Sequence, residues 1–220
     1  DTSGNGNNGL VNGSTWVDGK FGKALSFDGV DDYVIKNPIS NFPTSEITTV
    51  FWIKTTDSDD GIISYATSSS DNDWLILDSS NINIYRGSNA VSSGVAINDN
   101  QWHHIAVTWR SSDGSVKLYK DGNLAYSGTL ATGTSIAGNG SLVIAQEQDT
   151  VGGGFQVSQA HSGLIDEVRI YNRALSAGEI NSLYQAKAKP NYGDIRFTDG
   201  NGVNLLNYWM EADGKFWVKV

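Results

Sequence analysis

The sequence predicts an all-β protein built as a sandwich of two antiparallel sheets. Its 220 residues contain 25 glycines, 3 prolines, 7 Trp, 9 Tyr and 7 Phe, and only 18% are charged. Aromatic residues favour strands, and glycines favour tight turns. Short segments with alternating apolar and polar residues recur, each ended by Gly, Asn, Asp or Ser, which is typical of half-buried strands. Because one late segment alone is helical in pattern, the strands are expected to cover one another as two sheets.

The alternation predicts ten strands before residue 146. The clearest pair is a hairpin with Asp121 and Gly122 at its turn, where a positive φ is required. The predicted strands are 24–27, 32–35, 48–53, 61–64, 74–77, 82–85, 104–109, 115–120, 123–127 and 142–145.

A short helix is predicted near residues 176–186. Ser176 is a suitable N-cap and Glu179 follows three residues later, which is the capping-box pattern. Ile180, Leu183 and Tyr184 form its apolar face. Residues 1–186 are therefore expected to form one sandwich that carries one short helix.

The composition changes after Gln185. Residues 186–190 (AKAKP) are short and basic and end in proline, as in a linker. Three strand-like segments follow, DIRFT, NLLNYWMEA and KFWVKV, and three strands bury too little apolar surface to fold alone. We expect residues 187–220 to be a linker and β extension, either part of a second domain or assembly strands. In the second case residues 190–220 would pair with a neighbouring subunit by strand addition.

The charge and composition exclude several classes of function. A net charge of −9 leaves no basic stripe for nucleic acid, and it opposes binding to anionic lipid unless a divalent cation bridges the surfaces. The absence of cysteine excludes disulfides, thiolate metal sites and a cysteine nucleophile. No run of 18 apolar residues is present to span a membrane.

Two glycine-containing motifs resemble ligand loops only in part. Residues 4–9 (GNGNNG) match the dinucleotide-binding letters, but the strand and helix that this mechanism needs are not predicted around them, which favours a glycine-rich turn. Residues 57–61 (DSDDG) lack the glutamate at position twelve of a calcium loop, which favours a solvated loop.

No catalytic residue is predicted. His103 and His104 are adjacent, so they face opposite sides of a strand and are expected to be structural. His161 is the remaining histidine, and no Ser or carboxylate has a spacing that suggests a triad with it. A carboxylate pair for glycoside hydrolysis stays an open alternative, because pairing across strands is invisible in sequence.

The strongest binding signal is the oxygen-rich loop of residues 146–159 (QEQDTVGGGFQVSQ). Carboxylates and amide oxygens around flexible glycines are the donors that calcium accepts, although a plain polar loop is the alternative. Residues 68–74 (SSSDNDW) form a second, weaker acidic loop. A weaker cation site is also conceivable at Asp1, Asn5 and Asp28, with a hydrogen-bonded turn network as the favoured alternative.

These two loops carry a resemblance to a known family. SYATSSSDNDWLIL resembles the pentraxin segment with the Asp-Asn calcium ligands, and residues 144–184 resemble the pentraxin calcium loop, next strand and terminal helix. GKFGKALSFDGVDDYV and QWHHIAVTW are similar to the related laminin-G-like modules of microbial surface proteins. The resemblance covers about residues 1–186 and implies a concanavalin-A-like jelly roll.

The resemblance also implies a set of calcium ligands. By position, the first ion would be held by Asp71, Asn72, Glu147, the Gln148 carbonyl and Asp149. A second ion would share Glu147 and Asp149 and add Gln156 and Gln159. Gln156 stands where the family usually has a glutamate, so the second site is expected to be weaker or empty.

Other positions depart from the family as well. Val50 and Ala106 stand where the family places its core disulfide. Leu77 replaces the aromatic residue beside the choline pocket, so phosphocholine specificity is not implied. The tail resembles part of an uncharacterised β-domain that accompanies laminin-G-like modules in archaeal and bacterial surface proteins.

The function expected from these features is that of a calcium-dependent, non-catalytic carbohydrate-binding or adhesion module of an extracellular surface protein. Its partner would be a glycan or another anionic ligand held through Ca²⁺. One alternative is a structural subunit of an extracellular filament or adhesin assembled through the tail. A further alternative is an accessory module of a polysaccharide-degrading enzyme, or such an enzyme itself.

Overall fold

The computed structural model describes residues 1 and 4–188, and two further strands at 208–210 and 216–218. The chain divides into two compact units, Asp1–Tyr184 and Gln185–Val220. The strands of the first unit are β1 (Leu10–Asn12), β2 (Thr15–Asp18), β3 (Lys23–Asp28), β4 (Tyr33–Lys36), β5 (Glu46–Thr55), β6 (Gly61–Thr67), β7 (Ser70–Leu77), β8 (Asn83–Arg86), β9 (Asn89–Ser92), β10 (His103–Arg110), β11 (Ser115–Lys120), β12 (Asn123–Thr129), β13 (Ser141–Ile144) and β14 (Ser162–Tyr171).

These strands form two seven-stranded antiparallel sheets, which confirms the predicted all-β sandwich. The first sheet has the order β1-β4-β13-β6-β7-β8-β9, and the second has the order β12-β11-β10-β5-β14-β3-β2. Half of the neighbouring strand pairs in the two sheets join strands that are not consecutive in the chain, as in a jelly roll. The long-range pairing of β6 with β13 places the segment after β13 on the same sheet as β7, which also pairs with β6.

The core lies between the sheets and is dominated by aromatic and β-branched side chains. Trp74 and Trp109 are fully buried, and each indole N–H finds an acceptor: Trp74 Nε1 donates to Thr49 Oγ1 at 3.0 Å, and Trp109 Nε1 donates to the Leu130 carbonyl at 2.8 Å. These two indoles therefore bring apolar area into the core without leaving a donor unsatisfied.

All ten predicted strands overlap observed ones. The alternation missed the short strands β1, β2 and β9, and the ten-residue β14, which is half-buried over much of its length. Residue 145 is not in a strand, because Ala145 has a left-handed φ of 73° that ends β13 and starts the polar loop. The turn at Asp121 and Gly122 has φ values of 53° and 77°, which confirms the predicted hairpin between β11 and β12.

The prediction that residues 68–74 form a loop is wrong. Ser70 to Asn72 belong to β7, and only Ser68 and Ser69 form the turn between β6 and β7. Pairing with β6, in which Thr67 lies opposite Ser70, extends the strand into this acidic segment. Asp71 and Asn72 are consequently held on a strand.

The predicted helix is observed as α1 (Ala177–Ala188). Its capping box is confirmed, since the Glu179 N–H donates to Ser176 Oγ at 3.3 Å and the Ser176 N–H donates to Glu179 Oε2 at 2.9 Å. The helix continues to Ala188 and so includes residues that the sequence assigned to a linker. Buried Ile180 packs in a small apolar cluster with Val50 and Ala106.

Val50 and Ala106 lie directly opposite each other on β5 and β10. These are the positions at which the resemblance placed the family's disulfide, and here apolar packing joins the two strands.

The second unit contains β15 (Tyr208–Met210) and β16 (Phe216–Val218), which pair antiparallel. The other residues on which the linker, second-domain and self-assembly predictions depend lie outside the described part of the chain, so those predictions stay open. Within the described residues, no helix is long and apolar enough to cross a membrane.

Candidate functional site

The predicted calcium ligands come from two segments that the first sheet brings together. Asp71 and Asn72 lie at the start of β7, and the loop that carries the other ligands follows β13. Strand β6 lies between β7 and β13 and pairs with each of them: Ser64 lies opposite Leu75 of β7 on one side and opposite Val143 of β13 on the other. The sheet order therefore places the two acidic segments near one another.

Three of the predicted ligands present buried oxygens that lack a partner. Asn72 Oδ1, Glu147 Oε2 and Gln159 Oε1 are buried and accept no hydrogen bond from the described residues. They are three of ten such side-chain atoms in the described part of the chain. A buried acceptor without a partner is costly. Asn72 and Glu147 belong to the first predicted ligand set, and Glu147 and Gln159 to the second, so each set has two acceptors that a cation would satisfy.

The electrostatic field around Glu147 supports the same grouping. Burial, together with the nearby negative charges of Asp149 and Asp71, raises the pKa of Glu147 to about 7. The three carboxylates thus repel one another. Their oxygens are not all within 4.8 Å of each other, unlike two other groups among the described residues: Asp57 with Asp60 and His161, and Asp28 with Asp31 and Asp32.

The Gln148 side chain is used for structure. Its Nε2 donates to the Ser64 carbonyl at 3.0 Å and to the Ser141 carbonyl at 3.1 Å, and its Oε1 accepts the Gly152 N–H at 2.8 Å. These bonds fasten the loop to β6 and β13. They also fit the resemblance, which assigns the role of ligand to the Gln148 backbone carbonyl.

Gln156 contacts one of the shared carboxylates. Its Nε2 donates to Asp149 Oδ2 at 2.6 Å, a bond that a glutamate at this position could not make while ionised. The 3₁₀ turn Val157–Gln159 follows directly and brings Gln159 back toward the loop, with its N–H donating to the Gln156 carbonyl at 2.9 Å. The residues of the second predicted site are therefore on the same loop as Asp149.

The loop is closed at its base by backbone contacts. The His161 N–H donates to the Ala145 carbonyl at 3.0 Å, and the Ala145 N–H donates to the Ile62 carbonyl at 3.1 Å. Gly61 lies so close that a Cβ there would be 2.5 Å from the Glu147 nitrogen. Only glycine permits this approach of backbone to backbone.

Sequence reasoning missed a buried polar cluster beneath this loop. The solvated-loop prediction for residues 57–61 is wrong at Asp60, which is fully buried. Asp60 Oδ2 lies 2.5 Å from His161 Nδ1 and accepts a hydrogen bond from Ser79 Oγ at 2.8 Å. Asp60 and His161 are 101 residues apart, so no local spacing could have revealed the pair.

The other histidines have the structural role that the sequence predicted. His103 Nδ1 lies 2.8 Å from Asp121 and its Nε2 lies 3.1 Å from Asp99. His104 is buried between the rings of Trp52 and Tyr184, and burial lowers its pKa to about 4. Both histidines lie on β10 and make structural contacts, His103 with two carboxylates and His104 with two aromatic rings.

The sequence hypothesis that grouped Asp1, Asn5 and Asp28 around a cation is not supported. Asp1 Oδ2 accepts the Asn7 N–H at 2.8 Å, and Asn5 Oδ1 accepts a hydrogen bond from the Asn41 amide at 3.1 Å. This is the turn network that the sequence favoured. Asp28 instead lies in the separate group with Asp31 and Asp32.

The raised pKa of Glu147 gives a testable pH dependence for the metal-free protein. Between about 4.5 and about 7 the folded chain holds a proton on Glu147 that the unfolded chain has lost, so the free energy of unfolding should fall as the pH rises through this window. In the parent chain the free energy of unfolding should fall by on the order of 2 kcal/mol across this window, and Glu147→Gln should remove this fall. Urea denaturation in the presence of a chelator at pH 5 and pH 7.5 measures this change. The same change in unfolding free energy in the parent and in Glu147→Gln would contradict the prediction.

The two sheets define a concanavalin-A-like jelly roll that carries a polar loop next to its first sheet. The pentaxin family profile matches residues 23–205, and the chain therefore belongs to the pentaxin (pentraxin) family.

Two curated relatives are similar over part of their length. The "Sushi, von Willebrand factor type A, EGF and pentraxin domain-containing protein 1" of Rattus norvegicus is 35% identical over 173 residues, which are 74% of this chain and 5% of that protein. Neuronal pentraxin-1 of Homo sapiens is 43% identical over 100 residues, which are 45% of this chain and 23% of that protein. The chain thus corresponds to a small fraction of these longer relatives.

Two solved structures share the fold. The native heptameric SAP-like pentraxin from Limulus polyphemus has a TM-score of 0.65 and 24% identity, and the match covers 89% of this chain and 91% of that chain. Domain 4 of AbnA, an extracellular arabinanase from Geobacillus stearothermophilus in complex with arabinotriose, has a TM-score of 0.64 and 23% identity, with 80% and 88% covered. At these identities the likeness concerns the fold alone.

Proposed function

We propose that this chain is a calcium-dependent, non-catalytic ligand-binding module of an extracellular or cell-surface protein. The ion would be held by Asp71, Asn72, Glu147, Asp149 and the backbone carbonyl of Gln148. Bound there, Ca²⁺ supplies positive charge and open coordination positions for an anionic or hydroxyl-rich ligand.

The observation that carries the proposal is the pair of buried oxygens without partners at Asn72 and Glu147, with a third at Gln159 in the second predicted site. A cation that bonds oxygen satisfies such acceptors and offsets the repulsion among Glu147, Asp149 and Asp71. Carboxylate, amide and carbonyl oxygens without His or Cys favour calcium over the transition metals.

A second ion would use Glu147, Asp149, Gln156 and Gln159. The amide of Gln156 brings no negative charge, so this position should bind calcium more weakly than the first. Its hydrogen bond to Asp149 would have to break before Asp149 could contact a second ion, which weakens that site further.

A glycan or another anionic ligand fits this surface best. The chain carries a net charge of −9, so an anion needs a cation to approach it. The loop also exposes Val151 and Val157, which are 41% and 65% accessible, so apolar surface lies beside the polar groups. The arabinotriose bound to domain 4 of the Geobacillus arabinanase makes an arabinan oligosaccharide the first neutral glycan to test.

Hydrolysis by a serine triad is not proposed for Ser79, Asp60 and His161, for a geometric reason. Ser79 Oγ donates to Asp60 and not to an imidazole nitrogen, and Ser79, Asp60 and His161 are all fully buried. A nucleophile needs an adjacent base and access to substrate. The cluster therefore serves to hold the loop.

The proposal is tested by capture on immobilised glycans. The panel contains anionic polysaccharides and arabinan. In about millimolar Ca²⁺ we expect the full chain to be retained on at least one of them, and EGTA should release it. Glu147→Ala/Asp149→Ala should not be retained. Asp18→Asn/Asp59→Asn, which removes two exposed negative charges elsewhere, is the matched control. Retention that EGTA does not affect would overturn calcium dependence.

A further inference from the structure

A second group of carboxylates lies at the turn between β3 and β4. Asp28, Asp31 and Asp32 each place one carboxylate oxygen within 4.8 Å of an oxygen of the other two. None of the three belongs to the ligand set discussed above. Asp28 ends β3, and the other two residues precede β4.

The negative charge of this group is not neutralised. Among the residues described, none of the three carboxylates forms an ion pair with Lys, Arg or His. Asp32 is only 8% exposed, and burial together with the charges of Asp28 and Asp31 raises the pKa of its carboxyl group. Three acids thus converge at a point where water screens at least one of them poorly.

An independent observation comes from the neighbouring loop. Gln146 is 1% exposed, and its Nε2 makes a long contact of 3.4 Å with the Val30 carbonyl, inside the turn that joins the three acids. Its Oε1 is buried and has no partner among the described residues. This oxygen is on the same amide group as the Nε2 that contacts Val30, so a buried acceptor without a partner lies next to the turn that carries the three acids.

We propose that Asp28, Asp31, Asp32 and Gln146 Oε1 form a further calcium site, distinct from the one at residues 71–72 and 147–149. Three carboxylates and one amide oxygen are hard donors that suit Ca²⁺, and the exposed positions of Asp28 and Asp31 leave room for water in its coordination shell. The ion would neutralise the acids and satisfy the buried oxygen of Gln146.

The site also has a structural consequence. The Asp28 N–H donates to Asp32 Oδ2 at 3.0 Å, and the Val30 N–H donates to Asp28 Oδ1 at 2.8 Å, so the turn is already ordered by its own acids. Gln146 directly precedes Glu147, so an ion here would link the β3–β4 turn to the loop of the first site.

The test uses the full chain in a background that lacks the first site. Glu147→Ala/Asp149→Ala is titrated with Ca²⁺ alone by calorimetry, and we expect about one equivalent to bind. Adding Asp28→Asn/Asp31→Asn should weaken that binding at least about tenfold. Both positions are exposed and the replacements are isosteric, so the fold should persist, and circular dichroism checks it.

Two further variants sharpen the result. Gln146→Met keeps the side-chain volume and removes the oxygen, and it should weaken binding several-fold. Asp18→Asn/Asp59→Asn removes the same charge from exposed positions outside the group and should leave the affinity unchanged. The site is overturned if the background variant binds no calcium, if the Asp28/Asp31 change leaves the affinity intact, or if Gln146→Met has no effect. Equal total binding by the parent and the background variant would instead count against the first site alone.

Discussion

Replacing Glu147 and Asp149 together by alanine is expected to lower the calcium affinity of the site at residues 71–72 and 147–149 by at least about 100-fold. Both carboxylates belong to the ligand sets of both ions in the pentraxin-like arrangement. Their loss removes two negative charges from the few ligands present. Calorimetric titration of the full chain measures the change, and a melting curve with and without millimolar calcium gives an independent readout.

A variant that adds a carboxylate ligand, where the previous one removes two, tests whether the loss of calcium binding is specific to this loop. Gln156→Glu restores a carboxylate beside Asp149 and breaks the hydrogen bond that Gln156 donates to it. It should increase the number of calcium ions bound, because the second site gains a charged ligand. If the Glu147/Asp149 variant bound as many calcium ions as the parent, and with the same affinities, the first site would lie elsewhere.

Arg86→Met is expected to destabilise the fold by about 3–5 kcal/mol. Arg86 Nη1 lies 2.6 Å from Asp73 Oδ1, and the two side chains are 2% and 8% exposed. The guanidinium also stacks 4.7 Å from the centre of the Trp109 ring. Methionine fills the space but leaves the Asp73 carboxylate buried without a cation. Urea denaturation monitored by tryptophan fluorescence measures the loss.

Two comparisons separate charge from packing at this position. Asp73→Asn/Arg86→Met removes both charges and should recover part of the lost stability. Arg110→Met breaks the ion pair between Arg110 and Asp113, two side chains that are 45% and 49% accessible. It should cost far less stability than Arg86→Met, because solvent screens the exposed pair. An Arg86→Met protein as stable as the Arg110→Met protein would contradict the importance of the buried pair.

The sequence predicted the fold because its strands alternate clearly and its turns carry their signals. It also predicted the helix start at Ser176 and Glu179, and that loop 146–159 and Asp71–Asn72 belong together, through family resemblance. It could not predict that β7 includes Asp71, since acidic residues are poor strand formers and only the pairing with β6 makes them extended.

What the sequence could not predict depends on contacts between distant residues. Asp60 looked like part of a solvated acidic run, yet its carboxylate accepts hydrogen bonds from Ser79 and contacts His161. Asp28 looked like a partner of Asp1, although its neighbours are Asp31 and Asp32. Polar residues give no periodic signal, so their burial becomes visible only when the sheets are assembled.

The closure of the 146–160 segment at its base bears on how the sequence of this module can change in evolution. Ala145 and His161 are joined by a backbone hydrogen bond, so the intervening residues form an insert that Gln148 anchors to β6 and β13. None of residues 146–160 belongs to the apolar clusters of the sandwich core. Such an insert can be rewritten, or exchanged between relatives, while the sheets stay intact. New ligand preferences could arise from this one segment, with Gly61 and Asp60 as the fixed points that any replacement must still fit.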